Sequence, residues 1–235
     1  MCSAHDTCRA APDPWLPLRL LEVTNSGSRA KLILTQTQPS TSTPTDQHRR
    51  PYITVSHRWA PMPYKGLFAS NICDLQQEVV VSTLPKVFQD AFVVANRLGI
   101  SLVWIDSLCI MQDDDSQDLK DQCRLMHKIY ANAFLNISAT GCEDNYGSLL
   151  QRRSRTVSAN PQKLKSNGLL RPRTKYIIEG NLWIDEIVEA PLNSRGWVFQ
   201  ERHLARRVLH FGTNQMAWEC RQLDALETCP TGLPP

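Results

Sequence analysis

The stretch LNSRGWVFQERHLARRVLHF, residues 192–211, joins three local patterns. Polar residues at 193–196 predict a turn. Trp197 and Glu201 then stand four residues apart, which is the spacing of neighbours on one face of a helix. The apolar run at 208–211 predicts a short strand. A turn, a helix and a strand in succession form half of an α/β unit, so this stretch predicts the fold class.

Further strands and helices continue this alternation toward the N-terminus. Apolar and β-branched runs predict strands near 52–56, 101–106 and 133–139, and amphipathic patterns predict helices near 84–98 and 116–131. Together with 208–211, these strands predict one parallel sheet flanked by helices, because parallel sheets are covered on both faces. Two short apolar runs at 16–23 and 30–34 predict an N-terminal β-hairpin.

The composition of the chain limits the classes of function. The 235 residues are 42% hydrophobic, which is enough for the core of one domain, and the net charge of +3 is too small to indicate nucleic acid. No apolar run of membrane-spanning length and no secretory signal pattern is present. The eight cysteines form no Cys-x-x-Cys pair, so we expect free thiols in a cytoplasmic protein, with no metal site.

Several segments interrupt the alternation. We expect residues 1–15 to be a disordered tail, residues 16–235 to form one domain, and 35–51 to be a flexible loop. The Pro-rich end predicts a truncated C-terminus. Residues 141–190 predict an insertion outside the sheet; eight basic residues and no acidic residue lie between Asp144 and Glu179. A solvated basic insertion is expected there, with a hairpin of 176–178 and 182–184, rather than a nucleic-acid arm.

Polar residues follow the predicted strands at their carboxyl ends, where parallel α/β sheets bind ligands. Ser56, His57 and Arg58 end the first strand, and Asp106 ends the second. We expect these residues to face Glu201 across a cleft, with Glu201 partly buried and Trp197 packed beside it. The alternative is a core Trp197 and a Glu201 that pairs with an arginine at the surface.

Two other sequence features bear on the chemistry. Cys109 follows an apolar strand, which predicts a buried small hydrophobe, with a reactive thiol as the alternative. No Gly-x-Gly-x-x-Gly and no Gly-Lys-Ser/Thr loop is present, so neither a tightly held dinucleotide nor a bound triphosphate is indicated.

Several segments together resemble the fungal heterokaryon-incompatibility (HET) domain in order and spacing. They are YITVSHRW (52–59), LPKVFQDA (84–91), LGISLVWIDSLCIMQD (98–113), MHKIYANA (126–133), SRGWVFQE (194–201), LHF (209–211) and WEC (218–220). The resemblance covers roughly residues 16–235. It implies a role in non-self recognition between fungal individuals, in which the domain triggers a cell-death reaction.

The HET domain is remotely similar to the Toll/interleukin-1 receptor (TIR) domain. That similarity implies a flavodoxin-like parallel sheet and cleavage of the nicotinamide–ribose bond of NAD, with NAD as substrate and no cofactor. The Trp-x-x-x-Glu pattern of enzymatic TIR domains matches Trp197 and Glu201, which implies that Glu201 is the catalytic residue. Trp197, Ser56, His57, Arg58 and Asp106 are then the candidate substrate-binding residues.

A second function stays open at this point. The same resemblance allows a non-catalytic signalling module, since TIR relatives include both enzymes and adaptors. Such a module would act through self-association or through other incompatibility proteins. Neither function requires a membrane or a nucleic acid.

Overall fold

The computed structural model describes His5, Cys8 and residues 15–35, 50–60, 66–114, 116–151, 162–165, 174–177 and 181–233. Most of the predicted tail at 1–15 and loop at 35–51 therefore lies outside the described residues. The described strands are β1 (Arg19–Thr24), β2 (Arg29–Leu34), β3 (Tyr52–Ser56), β4 (Val79–Val80), β5 (Leu102–Ile105), β6 (Leu135–Ser138), β7 (Gln162–Lys165), β8 (Thr174–Ile177), β9 (Arg207–Phe211), β10 (Met216–Cys220) and β11 (Leu223–Leu226). The described α-helices are α1 (Ile72–Gln77), α2 (Lys86–Arg97), α3 (Asp106–Cys109), α4 (Gln117–Asn132) and α5 (Gly196–Leu204).

The centre of the fold is a block of four parallel strands. β3 pairs with β5 on one side and with β6 on the other, and β6 pairs with β9, all in parallel. The four strands lie side by side in the order β5-β3-β6-β9. If they are numbered 1 to 4 by their order in the chain, this is the order 2-1-3-4, which is the flavodoxin order. The predicted α/β fold with its parallel strands is confirmed. Strand order reverses between β3 and β6, and such switch points are where doubly wound sheets bind ligands.

Antiparallel strands extend this block on both sides into a mixed sheet of nine strands. The predicted hairpin is present as β1 and β2, and β4 pairs with β2. β1 joins the block by pairing with β5 in antiparallel fashion, which the sequence did not predict. On the other side, β10 pairs with β9 and β11 with β10. The order is β11-β10-β9-β6-β3-β5-β1-β2-β4.

Local sequence explains the two long helices. In α2 the residues Val87, Phe88, Ala91, Phe92 and Ala95 are buried at helical spacing. The chain leaves this helix through Gly99, whose φ of 70° is left-handed and suits glycine. The Ser116 hydroxyl caps α4 by accepting a hydrogen bond from the backbone N–H of Leu119 at 3.1 Å. Both helices lie within two residues of their predicted bounds.

The helices cover opposite faces of the parallel block. Tyr52, Thr54 and Ser56 alternate along β3 and point to the face that carries α4, since the Tyr52 hydroxyl donates to the carbonyl of Ile129 at 2.5 Å. α5 packs on the same side, against α4. α2 covers the other face, where Phe88 meets the ring of His57 edge-on at 4.7 Å between centroids.

The predicted insertion does not join the nine-stranded sheet in its described part. β7 and β8 form a separate antiparallel pair, so the hairpin predicted from 176–178 and 182–184 was wrong. Residues 184–188 form a π-helical turn, and Leu182 and Ile187 pack with Ala217 and Leu226 in a small second core. The run at 182–184 has only three residues, which is too short to show whether its apolar residues repeat at the spacing of a helix or of a strand. The strand was predicted wrongly for this reason. Five of the eight basic residues lie outside the described residues, and Lys163, Lys165 and Lys175 belong to β7 and β8, so the expected solvated basic surface stays a prediction.

Among the helices that the structure describes, none has the length and apolar character needed to cross a bilayer.

Candidate active site at the carboxyl rim of the sheet

Polar side chains gather at the switch point between β3 and β6. The amide of Asn136 on β6 donates to the Ser56 hydroxyl at 3.0 Å, and the amide oxygen accepts from the Thr54 hydroxyl at 3.1 Å. All three residues are buried, on the face that carries α4 and α5. Ser56 is the last residue of β3, so this hydrogen-bond network reaches the carboxyl rim, which is the edge of the sheet formed by the carboxyl ends of the parallel strands.

Five residues from five parts of the chain converge on this rim. They are Ser56, Asp106, Tyr130, Arg195 and Glu201, which we call the rim cluster. Ser56 comes from β3, Asp106 is the first residue of α3 directly after β5, Tyr130 comes from α4, and Glu201 comes from α5; Arg195 immediately precedes α5. The predicted convergence of Glu201 with residues at the ends of the first two strands is therefore found. Tyr130 and Arg195 were not predicted as members.

Glu201 has the most perturbed environment of the cluster. Its side chain is 2% exposed, and Oε2 has no hydrogen-bond partner among the described residues. Burial and then the negative charge of Asp106 raise the pKa of Glu201 to about 7. A hydrogen bond with Ser56, the positive charge of Arg195 and a hydrogen bond with Tyr130 act in the opposite direction. Glu201 is thus a carboxyl group that exchanges its proton near neutral pH.

Asp106 is the second carboxylate of the rim. Its Oδ1 accepts from the backbone N–H of Ser107 at 2.7 Å, and its Oδ2 accepts from the indole N–H of Trp59 at 3.0 Å. A guanidinium nitrogen of Arg195 lies 3.9 Å from Oδ2, and the same guanidinium donates a hydrogen bond to the carbonyl of His57. Arg195 therefore ties the start of α5 to the ends of β3 and β5.

His57 lies at the rim, and its ring makes no hydrogen bond to any residue that the structure describes. The ring is buried, and neither of its nitrogens has a hydrogen-bond partner among the described residues. Nδ1 lies 3.7 Å from Oδ1 of Asp106, which is too long for a hydrogen bond. Burial lowers the pKa of His57, against the opposing effect of the Asp106 charge. His57 is therefore neutral and packs against Phe88. The contact with a substrate that the sequence predicted for His57 stays a prediction.

Arg58 and Trp197 lie away from the buried carboxyl group. Arg58 pairs with Glu143 at 3.3 Å on the surface. Trp197 is 55% exposed and lies in a groove of about 450 Å³ between α4 and α5. The groove is lined by Cys123, Arg124, His127, Trp197, Phe199, Gln200, His203 and Leu204, and Glu201 is not among them.

Two geometric expectations for α5 were therefore wrong. Glu201 is sealed rather than partly open, and Trp197 does not cover it. The buried side of this short helix is centred on Val198 and Glu201, so Trp197 falls at its margin although it is four residues from Glu201. The predicted alternative of a surface ion pair is also absent, because the described residues give Glu201 no ion pair with an arginine.

A second buried network was missed by the sequence. The Thr140 hydroxyl lies 3.0 Å from Nδ1 of His210, and Nε2 of His210 lies 2.9 Å from a carboxylate oxygen of Glu219, which also accepts from Arg202 at 2.6 Å. Burial lowers the pKa of His210. The pKa of Glu219 is lowered despite its burial, because His210 and Arg202 hydrogen-bond to it. The network joins β9, β10 and α5, and a histidine inside a predicted strand was its one sequence signal.

The surroundings of Cys109 decide between the two roles predicted for it, a buried small hydrophobe and a reactive thiol. The thiol is buried, and burial raises its pKa to about 12. A thiol that holds its proton so tightly is a poor nucleophile, so the predicted small buried hydrophobe is confirmed and the reactive thiol is not supported.

The fold and the rim define an α/β protein of flavodoxin strand order with a buried acidic site at its switch point. The family model of the heterokaryon incompatibility protein (HET) matches residues 52–201, well over half of the chain, and the chain belongs to this family. The match begins at the first residue of β3 and ends at Glu201 itself. Membership indicates a role in heterokaryon incompatibility. No curated protein and no solved structure matches the chain.

Proposed function

We propose that this protein is a fungal incompatibility effector that kills the cell by cleaving NAD in the cytoplasm, with Glu201 as its catalytic residue. The observation that carries the proposal is the state of this carboxyl group. It is buried at the switch point of the sheet, its Oε2 lacks a partner among the described residues, and its pKa is about 7. Perturbed carboxyl groups of this kind concentrate at functional sites.

The proposed reaction is hydrolysis of the nicotinamide–ribose bond. The bond between the ribose C1′ and the pyridinium nitrogen breaks, and its electron pair goes to the nitrogen, so nicotinamide leaves as a neutral molecule. Positive charge develops on the ribose, and a water molecule adds to C1′ and releases a proton. The ionised Glu201 would stabilise the positive charge and accept that proton, which are the roles of a carboxylate in glycoside hydrolysis.

Neighbouring residues support these roles. Hydrogen bonds from Ser56 and Tyr130 favour the ionised form of Glu201, as does the charge of Arg195. Asp106 has two acceptor oxygens at the same rim and is our candidate for contact with the ribose hydroxyl groups.

The burial of Glu201 bears on how such an effector would be controlled. A catalytic group must touch its substrate, and a side chain that is 2% exposed cannot do so without movement of its surroundings. We therefore include in the proposal that the described form is the resting one. Self-association or binding of another incompatibility protein would open the rim and start the reaction.

NAD turnover by the purified full-length chain tests this function. Nicotinamide release would be measured by chromatography, with and without a crowding agent that favours assembly, and cell death would be scored on expression in a fungal host. We expect Glu201→Gln to lower turnover by about 100-fold or more and to abolish killing. The exposed Glu78, which pairs with Arg29 far from the rim, supplies the control variant Glu78→Gln.

The proposal fails if folded Glu201→Gln protein releases nicotinamide or kills as the unchanged protein does. Folding of each variant would be checked by circular dichroism. Turnover that is absent under every assembly condition, in a chain that still kills, would also reject the enzyme.

A second candidate is a non-catalytic signalling module. The observation in its favour is the groove between α4 and α5, where Trp197 and Phe199 are 55% and 66% exposed. Exposed aromatic residues beside a groove are typical of protein-binding surfaces. If this candidate is correct, the double variant Trp197→Ala, Phe199→Ala stops killing, and Glu201→Gln does not.

A further inference from the structure

We propose that His5, Cys8 and Cys220 form a zinc site that fixes the N-terminal segment to the end of β10. The three residues supply one imidazole and two thiols, and their ligand atoms all lie within 4.8 Å of one another. Cys8 is a buried free thiol. This site lies apart from the rim cluster and does not depend on the proposed NAD cleavage.

The two distances from the imidazole nitrogen to the sulfur atoms are close to those of a tetrahedral zinc site. Zinc–sulfur bonds of about 2.3 Å and zinc–nitrogen bonds of about 2.0 Å place sulfur and nitrogen about 3.5 Å apart and two sulfur atoms about 3.8 Å apart. Nδ1 of His5 lies 3.6 Å from Sγ of Cys220 and 4.0 Å from Sγ of Cys8. Only small side-chain adjustments would bring all three atoms onto one ion.

The backbone holds the three residues in place without the ion. The backbone N–H of Cys8 donates a hydrogen bond to the carbonyl of His5 at 3.1 Å, which holds these two residues together. The Cys8 carbonyl accepts from the Arg207 guanidinium at 2.9 Å, and Arg207 on β9 is the register partner of Cys220 on β10. Cys8 is 1% exposed, so this residue itself is packed on the sheet.

The donor set selects the metal. Thiolates and imidazole together favour zinc over magnesium or calcium, which take oxygen ligands. Three protein ligands leave one tetrahedral position for a water molecule or a further side chain. The sequence contains no Cys-x-x-Cys pair, and for this reason no metal site was predicted from it. The spacing that matters is His5-x-x-Cys8, completed by a cysteine more than two hundred residues later.

Metal content of the full-length chain tests the site. The protein would be expressed with zinc, purified under reducing conditions and measured by plasma mass spectrometry. We expect about one zinc ion per chain, falling about tenfold or more in each of His5→Ala, Cys8→Ala and Cys220→Ala. Cys73→Ala is the matched control, because Cys73 is an exposed free cysteine outside the cluster, and it should keep its zinc.

Two measurements on the unchanged protein guard against variants that fail to fold. Replacing zinc by cobalt(II) should give a thiolate-to-cobalt charge-transfer band and the strong visible bands of a tetrahedral ion. A chelator should lower the melting temperature. The proposal is overturned if the unchanged chain binds neither metal, if Cys73→Ala loses as much zinc as Cys220→Ala, or if peptide mapping finds Cys8 and Cys220 joined in a disulfide.

Discussion

Replacing Glu201 by glutamine should change how the stability of the fold depends on pH. Glutamine has nearly the shape of glutamate but carries no charge at any pH, so the substitution removes one titrating group and little else. In the folded protein the pKa of Glu201 is about 7, against an ordinary value of 4.5. Between these two values the folded state holds a proton that the unfolded state has already released, so stability falls as pH rises through this window.

The size of the effect follows from the same two values. Their difference corresponds to about 3 kcal/mol, and the side chain is almost fully buried, so solvent does not screen it. Below pH 4.5 Glu201 is neutral in the unchanged protein. The free energies of unfolding of the unchanged protein and the glutamine variant should then differ only by a constant amount that does not depend on pH. Above pH 7 the unchanged protein carries a buried charge, and Glu201→Gln should be more stable by about 3 kcal/mol relative to that constant amount.

Urea unfolding at several pH values between 4.5 and 8, followed by tryptophan fluorescence, measures this difference directly. Subtracting the variant from the unchanged protein cancels the titrating groups that do not interact with Glu201. Glu78→Gln is the control, because Glu78 is exposed and pairs with Arg29 at the surface, away from the rim. That variant should differ from the unchanged protein by less than about 1 kcal/mol at every pH of the series, because an exposed ion pair contributes little to stability.

The reasoning would be refuted if the difference in the free energy of unfolding between Glu201→Gln and the unchanged protein did not change between pH 4.5 and 7. It would mean that Glu201 titrates normally and that its carboxylate finds partners or water in solution. A difference that grows in the other direction, with the unchanged protein more stable at high pH, would mean that Arg195 or the hydroxyl groups of the rim outweigh burial.

Three further outcomes are expected. Asp106→Asn removes the charge that helps to raise the pKa of Glu201, so the pH at which Glu201 titrates, measured from the same unfolding series, should move down. Asp90→Ala should cost about 2–3 kcal/mol in urea unfolding, because buried Asp90 accepts hydrogen bonds from the backbone N–H of Leu149 and from the adjacent serine hydroxyl; no loss would contradict this account. Phe92→Ala should cost about 3–5 kcal/mol in the same assay, because the ring is fully buried between α2 and the sheet.

The central fold was predictable because its signals are local. Long apolar runs and amphipathic helices alternate between residues 52 and 138, and parallel pairing follows from that alternation. The attachment of β1 to β5 was not predictable, because no local pattern states which edge of the block a hairpin will extend. β11 was missed for a related reason: its sequence, Leu-Asp-Ala-Leu, has no β-branched residue, and only its pairing with β10 makes it a strand.

The position of the candidate site was more predictable than its chemistry. Strand ends in a parallel sheet share one rim, so the proximity of Ser56, Asp106 and Glu201 followed from the fold alone. The depth of Glu201 depends on Tyr130, which comes from another helix, and on which side of α5 faces the sheet. Spacing within one helix cannot supply either fact.

The strand order also fixes when the rim can be completed during synthesis of the chain. β3, β5 and β6 are made before β9, and Ser56 and Asp106 are made with them, but Glu201 stands just before β9. β9 joins the parallel block by pairing with β6, and the whole insertion lies between these two strands in the chain. Because pairing them closes a long loop, we expect this pairing to form late. A growing chain, or one stopped before residue 195, therefore holds most of the sheet without the acidic group that we propose to be harmful.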